Sequence, residues 1–295
     1  MRILLFIMMQ VAVLVVVNIV AMILMALFGI NISGQSYSGL LIMCALFGFV
    51  GSFISLAMSK FMCKKAYGVQ VITNPRNEAE KFLVSTVAEL SRKSGFDMPE
   101  VGIYVSNEPN AFATGASKNS ALVAVSTGLL EGMSRDEVKG VLGHEVSHIA
   151  NGDMVTMSLL QGVLNTFVYF FSYIVAMAVS NFISRSSDDE HGGSSLTFYA
   201  VNILFQIIFG ILANIILMWF SRYREYRADE GSARLGGKDS MIRALQALQK
   251  GVQPASHEGQ FSALCINGAS GLSELFMSHP PLEKRIAALR NLMIR

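Results

Sequence analysis

The sequence predicts a mainly α membrane protein: four transmembrane helices and a cytoplasmic α+β domain with a small sheet. Three observations predict it. The chain of 295 residues is 52% hydrophobic and only 15% charged, against about 25% charged in a soluble domain. The deficit is concentrated in four runs, 3–38, 39–59, 155–184 and 191–221, which hold no Asp, Glu, Lys or Arg. The remaining residues are polar and carry helix and strand periodicities.

Each run exceeds the roughly 20 apolar residues needed to cross the hydrocarbon. Spans are expected at about 3–30, 39–59, 157–183 and 196–220, with the turn-like "SGQSYS" separating the first two. The first run is too long for the apolar region of a signal peptide and shows no cleavage pattern, so it is expected to be retained. Gln161, Asn165, Asn202, Gln206 and Asn214 fall inside spans three and four, where interhelical hydrogen bonds are expected of them.

Lys and Arg placement sets the orientation. Arg2 precedes span one, Lys60, Lys64 and Lys65 follow span two, and Arg222, Arg224 and Arg227 follow span four. The loop after span three sets Arg185 against Asp188, Asp189 and Glu190. Both termini and both polar segments are therefore expected in the cytoplasm. A formal charge of +2 is too small to argue for nucleic acid. The three cysteines, Cys44, Cys63 and Cys265, have no metal-like spacing, and an odd count suits a reducing compartment.

The expected organisation is an N-terminal transmembrane hairpin (1–62), a polar segment (63–154), a second hairpin (155–221) and a second polar segment (222–295). In the first polar segment, "NEAEKFLVSTVAELSRKSG" places Phe82, Leu83, Val87 and Leu90 on one helical face and ends on Gly95. "VGIYV" and "SALVAVS" read as short strands, with a loop or irregular edge strand between them. A further helix opens with the capping-box pair Ser134 and Glu137. Its apolar stripe is Val138, Val141, Leu142, Val146 and Ile149. Gly152 ends it, and Asp153 is a cap for the next helix. The second polar segment reads as mainly helical, with Pro281 near the first turn of the last helix.

The chemistry lies at His144-Glu145-Val146-Ser147-His148, an HExxH sequence. On a helix, positions i and i+4 share a face, so both imidazoles can bind one metal ion, with a carboxylate beside them to take a proton from water. Neutral imidazoles and carboxylates suit zinc. A catalytic site wants three protein ligands and one open position, and "SRYREYRAD", just after span four, supplies carboxylates. His148 and Glu225 are separated by two membrane crossings, which return the chain to the same side. Each lies about 10 Å along a helix from its span. Asp229 is one turn beyond Glu225 and on the same face, where it can orient a ligand histidine. By spacing alone Glu225 is one candidate, because an arginine-paired surface carboxylate is the commoner fate of such a residue.

Four motifs, "HEVSHIANGD", "SRYREYRAD", "PNAFATG" and "MSHPPLEKR", together resemble the HtpX-type membrane zinc metalloproteases, bacterial heat-shock proteases related to the CAAX prenyl proteases. The resemblance covers nearly the whole chain and implies a zincin-type protease domain. It implies one zinc ion held by His144, His148 and Glu225, with Glu145 as catalytic base and Asp229 bonded to the first motif histidine. His279 matches a histidine near the active site, and Arg285 is a candidate for orienting it. Asn110, Ala111, Phe112 and Ala113 match a cleft-lining segment, where an edge strand can pair with substrate backbone. The implied role is quality control of membrane proteins in the bacterial inner membrane during stress. The implied partners are polypeptide substrates and the lipid bilayer. Two other readings stand beside it: a processing peptidase with one dedicated substrate, and a non-proteolytic membrane scaffold or chaperone with a structural metal. The base position at Glu145 argues against the last, since a structural site needs none and is closed by four protein ligands.

Overall fold

The computed structural model describes residues 19, 37–186, 193–251 and 277–293. Apart from Ile19, the span expected at 3–30 lies outside them. The chain divides into two compact units, residues 1–55 with 157–217 and residues 56–156 with 218–295.

Among the described residues three helices are long and apolar enough to cross a membrane: α1 (Tyr37–Tyr67), α5 (Asp153–Ser186) and α6 (Gly193–Gly236). In the first unit α1 and α5 meet through small residues. A Cβ added at Gly48 would stand 2.6 Å from the Gly162 carbonyl oxygen and 2.7 Å from Thr166 Oγ1, and Ser158 Oγ donates to the Ser52 carbonyl at 2.9 Å. Without a hydrophobic drive between helices in lipid, such close backbone approach and polar bonding supply the association. The amides differ from the sequence expectation. Gln161 donates to Asn165 at 2.8 Å and Gln206 to Asn202 at 3.3 Å. Both bonds run within one helix, because residues four apart are neighbours on its surface and satisfy each other first.

The second unit is built on a four-stranded mixed sheet. Its strands are β1 (Gln70–Val71), β2 (Glu100–Tyr104), β3 (Ala111–Gly115) and β4 (Ala121–Ser126), in the order β1-β2-β4-β3. β2 and β4 are parallel, and β1 and β3 are antiparallel to their neighbours. β4 is buried along its whole length, as its unbroken apolar run suggests for a strand covered on both faces. One face packs under α2 (Glu78–Ser94) and α4 (Arg135–Asn151). Leu83, Val87 and Leu90 there meet Val123, Val125, Val138, Leu142, Val146 and Ile149. On the other face Tyr67, Tyr104 and Phe112 cluster at tilted angles, with ring centroids 5.2–5.6 Å apart. Short α3 (Thr127–Gly132), α7 (Lys238–Gly251) and α8 (Leu282–Asn291) complete the unit.

The helix ends follow local chemistry. Asn77 accepts from the Glu80 amide at 2.8 Å, and α2 stops at Gly95 with φ 74°. α4 begins with the full Ser134–Glu137 capping box and stops at Gly152 with φ 70°. Pro281 stands at the N-cap of α8, one place before the helix proper.

Candidate metal centre

The capping box sets the start of α4 and hence its rotational phase. With Val138, Leu142, Val146 and Ile149 turned to the core, His144 and His148 leave on a different face, towards the C-terminal part of α6. A seam of glycine and serine lets the two helices close up there. A Cβ at Gly143 would stand 2.6 Å from Ser232 Oγ, and one at Gly231 would stand 2.5 Å from Ser147 Oγ. Ser232 Oγ donates across the seam to the Gly140 carbonyl at 2.7 Å. Any larger residue would hold α6, and Glu225 on it, away from the histidines.

Three potential donor atoms converge as a result. His144 Nε2 and His148 Nε2 are 3.1 Å apart. Glu225 Oε2 lies 3.4 Å from the first and Glu225 Oε1 lies 3.2 Å from the second. A tetrahedral ion with bonds of about 2.0–2.1 Å has ligand atoms about 3.3 Å apart, and the separation of the two nitrogens and the contact of each with a Glu225 oxygen lie near that value. Glu225 is 2% exposed. Three nitrogens approach its Oε2: His279 Nδ1 at 2.7 Å, Arg285 Nη1 at 3.3 Å and His144 Nε2 at 3.4 Å. None is aligned to hydrogen-bond to it. A buried carboxylate oxygen with unspent lone pairs, beside two imidazoles, is a donor set that could hold a metal ion.

The surrounding groups fix these donors. Asp229 Oδ1 lies 2.9 Å from His144 Nδ1. Arg285 grips the same carboxylate with two N–H groups, Nε to Oδ2 at 2.8 Å and Nη2 to Oδ1 at 2.6 Å. The fork is bidentate and buried, the geometry in which Arg holds a carboxylate best. Arg285 is thus placed where a residue that orients the site would stand. Its place here comes from α8 packing on α6 and α7 through Ile286, Leu289, Ala233, Met241 and Leu245.

Electrostatics follow from burial and pairing. Burial alone would raise the Glu225 and Asp229 carboxyls. The close approach of His144, His148 and His279 outweighs it at Glu225, and hydrogen bonds from Arg285 and His144 outweigh it at Asp229, so both stay below the usual carboxylate range. Burial would lower the imidazoles, yet Asp229 and Glu225 raise His144, and Asp153 and Glu225 raise His148 to about 10. The metal-free site is a set of charged pairs, and an ion entering it displaces imidazole protons.

Glu145 is half-buried beside His144, and among the described residues no hydrogen bond engages its carboxylate. His279 reaches Glu225 from an exposed position. Asn110 to Ala113 run into β3, an edge strand among the described residues. The Asn110 carbonyl accepts from the Ser126 amide at 2.9 Å, which makes 110/126 a hydrogen-bonded pair. Such pairs alternate along the ladder, so the peptide groups of Ala111 and Ala113 face the open edge. Two features escaped the sequence reading. Asp153 is the first residue of α5 rather than a cap outside it, and its Oδ2 lies 2.6 Å from His148 Nδ1. The seam was the other, and its only trace in the sequence was small residues at Gly140, Gly143, Ser147, Gly231 and Ser232.

Comparison with known proteins decides the family. Residues 77–293 match the model of peptidase family M48. The chain belongs to peptidase family M48. Curated relatives agree over nearly full length. The "Protease HtpX" of Aeromonas hydrophila is 58% identical, covering 98% of this chain and 99% of that protein. Those of Tolumonas auensis and Shewanella frigidimarina are 54% and 55% identical, covering 99% and 92% of this chain and 99% and 94% of theirs. The fold is similar to the crystal structure of S. mikatae Ste24p, with a TM-score of 0.59 at 20% identity. That match covers 96% of this chain and 65% of the solved one. As a member of family M48 the protein is a metalloprotease, and its apolar helices make it a multi-pass membrane protein.

Proposed function

We propose that this family M48 member is a zinc-dependent endopeptidase of the bacterial inner membrane, cutting misfolded or damaged membrane proteins at the cytoplasmic face. The observation that carries the reading is the convergence of His144 Nε2, His148 Nε2 and the Glu225 carboxylate: the two nitrogens are 3.1 Å apart, and each lies 3.2–3.4 Å from one of the two Glu225 oxygens. These three residues hold one zinc ion in a zincin-type domain formed by the polar segments 63–154 and 222–295, and the hairpins 1–62 and 155–221 anchor it. Zinc, when bound, supplies a Lewis acid for the scissile carbonyl and makes the attacking water more acidic.

The chain's own residues do the rest. Glu145 accepts the proton of the attacking water and returns it to the leaving amine. Asp229 holds the Nδ1 proton of His144, which leaves Nε2 for the ion, and Arg285 holds Asp229 in place. His279, at the rim, donates to the oxyanion that develops on the scissile carbonyl. The substrate lies extended along β3 and bonds to the peptide groups of Ala111 and Ala113. Phe112 between them turns to the aromatic face. Recognition through backbone discriminates little between side chains, which suits unfolded segments of many sequences. The basic residues flanking spans two and four support the cytoplasmic side for the site and both termini.

The test is Glu145→Gln in the full-length protein in detergent. It is expected to retain zinc and to lose cleavage of an unfolded protein substrate. Cleavage at the wild-type rate would refute the assignment of the base. Cleavage by the wild type confined to one peptide sequence in a library would favour a dedicated processing peptidase instead.

A further inference from the structure

Asp153 has no part in the mechanism above, yet it partners one of the two motif imidazoles. It follows Gly152, whose left-handed φ of 70° ends α4. The turn brings the first side chain of α5 back against the last turn of α4. Asp153 is buried, at 6% exposed, and its Oδ2 lies 2.6 Å from His148 Nδ1. His148 Nδ1–H therefore donates to the carboxylate, and Nε2 is left facing Glu225 at 3.2 Å and His144 Nε2 at 3.1 Å.

The two imidazoles are held differently. The carboxylate behind His144 is neutralised by the Arg285 fork. Behind His148, no Lys or Arg is in ion-pair contact with Asp153 among the described residues. The Arg224 guanidinium acts on it only through space, and Arg224 Nε is buried without a partner. A carboxylate that keeps its full charge polarises the ring it accepts from more strongly and makes the opposite nitrogen the better donor.

We propose that Asp153 is the positioning residue of His148: it selects the tautomer with Nε2 open, fixes the ring plane and strengthens the nitrogen that faces the metal. The ligand set would then be oriented by two carboxylates from different helices, Asp229 on α6 for the first histidine and Asp153 on α5 for the second. This rests on His148 being a metal ligand.

The competing role for Asp153 is to start α5, where the helix dipole favours a first-turn acid over Asn or Ser, a preference that acts on the helix and not on zinc. The experiment measures zinc affinity of the full-length protein in detergent by competition with a chromophoric chelator. It compares wild type with Asp153→Asn, Asp153→Ser and Asp153→Glu, and reads the cobalt-substituted visible spectrum of each. Asn and Ser are expected to bind zinc about 10–100-fold more weakly and to alter the cobalt bands, with Glu recovering part of both. Using two neutral variants keeps the comparison intact if one fails to fold. Wild-type affinity and an unchanged spectrum in a folded Asn or Ser variant overturn the proposal and leave the zinc reading standing. A wild type that binds no zinc overturns the zinc reading and this inference with it.

Discussion

His279 Nδ1 lies 2.7 Å from Glu225 Oε2, although the His279 side chain is 62% exposed and that of Glu225 only 3%. A solvent-facing imidazole thus touches a buried carboxylate of the site. Among the described residues little of its own burial holds it there, and the proposed oxyanion role requires it to turn from Glu225 to the substrate. His279→Ala is expected to lower kcat by about 10²–10³, the usual loss for one oxyanion donor, with zinc content unchanged. If the variant loses zinc and keeps kcat when reloaded, His279 supports Glu225 and does not serve the oxyanion.

The metal-free protein should show its charges in its stability. His148 is raised to about 10, with burial opposed by Asp153 and Glu225, and His144 is raised as well. Such groups contribute stability that is complete below the ordinary imidazole value of about 6.5 and is lost as the pH rises through the folded value. Glu225 and Asp229 are depressed, so their contribution is present above about pH 4 and is lost on acidification. With a chelator present, the thermal midpoint is expected to be highest between about pH 5 and 6.5 and to fall towards pH 10. Zinc affinity should climb over the same rise, as imidazole protons cease to compete. A chelator-treated midpoint that increases from neutral to alkaline pH would contradict this.

The α4–α6 seam gives a steric prediction. Gly231→Leu inserts a side chain where Ser147 Oγ already stands 2.5 Å from a Cβ position. Overpacking of this kind costs about 1–3 kcal/mol. The displacement of Glu225 should also weaken zinc binding. Gly132→Ala, at a site with nothing within 4 Å of the new Cβ, is the control and should leave both quantities near wild type. Equal behaviour of the two variants would show that the seam does not set the helix spacing.

Substrate pairing along β3 can be probed through the backbone. Ala113→Pro removes an N–H that faces the open edge, a position where an edge strand tolerates proline. The fold should survive, while kcat/KM for an unfolded substrate falls about 5–10-fold for one ladder bond of about 1 kcal/mol. An unchanged kcat/KM would remove β3 from the substrate path.

Much of the scaffold was legible because its signals are local. The charge-free runs locate three apolar helices, the capping box and Gly152 bound α4, and alternating or unbroken apolar runs mark β2 and β4. Spacing put His144 and His148 on one face of α4. What could not be read depends on approach between distant segments. The weight of Arg285 needs α8 docked on α6. Asp153 was read as a cap because its neighbours in sequence suggest one, whereas a left-handed turn hands its carboxylate to His148. The amide pairs of α5 and α6 were expected to bond across helices, and four-residue spacing let them bond along one instead.

The fork from Arg285 to Asp229 has a consequence in time. His144 and Arg285 are 141 residues apart, and a ribosome adds about 5–20 residues per second. For about 7–30 s the emerging polypeptide carries the motif helix without the arginine that steadies its first ligand. On the proposed function, the nascent chain is expected to be inactive during that interval towards its own unfolded parts and its neighbours in the membrane.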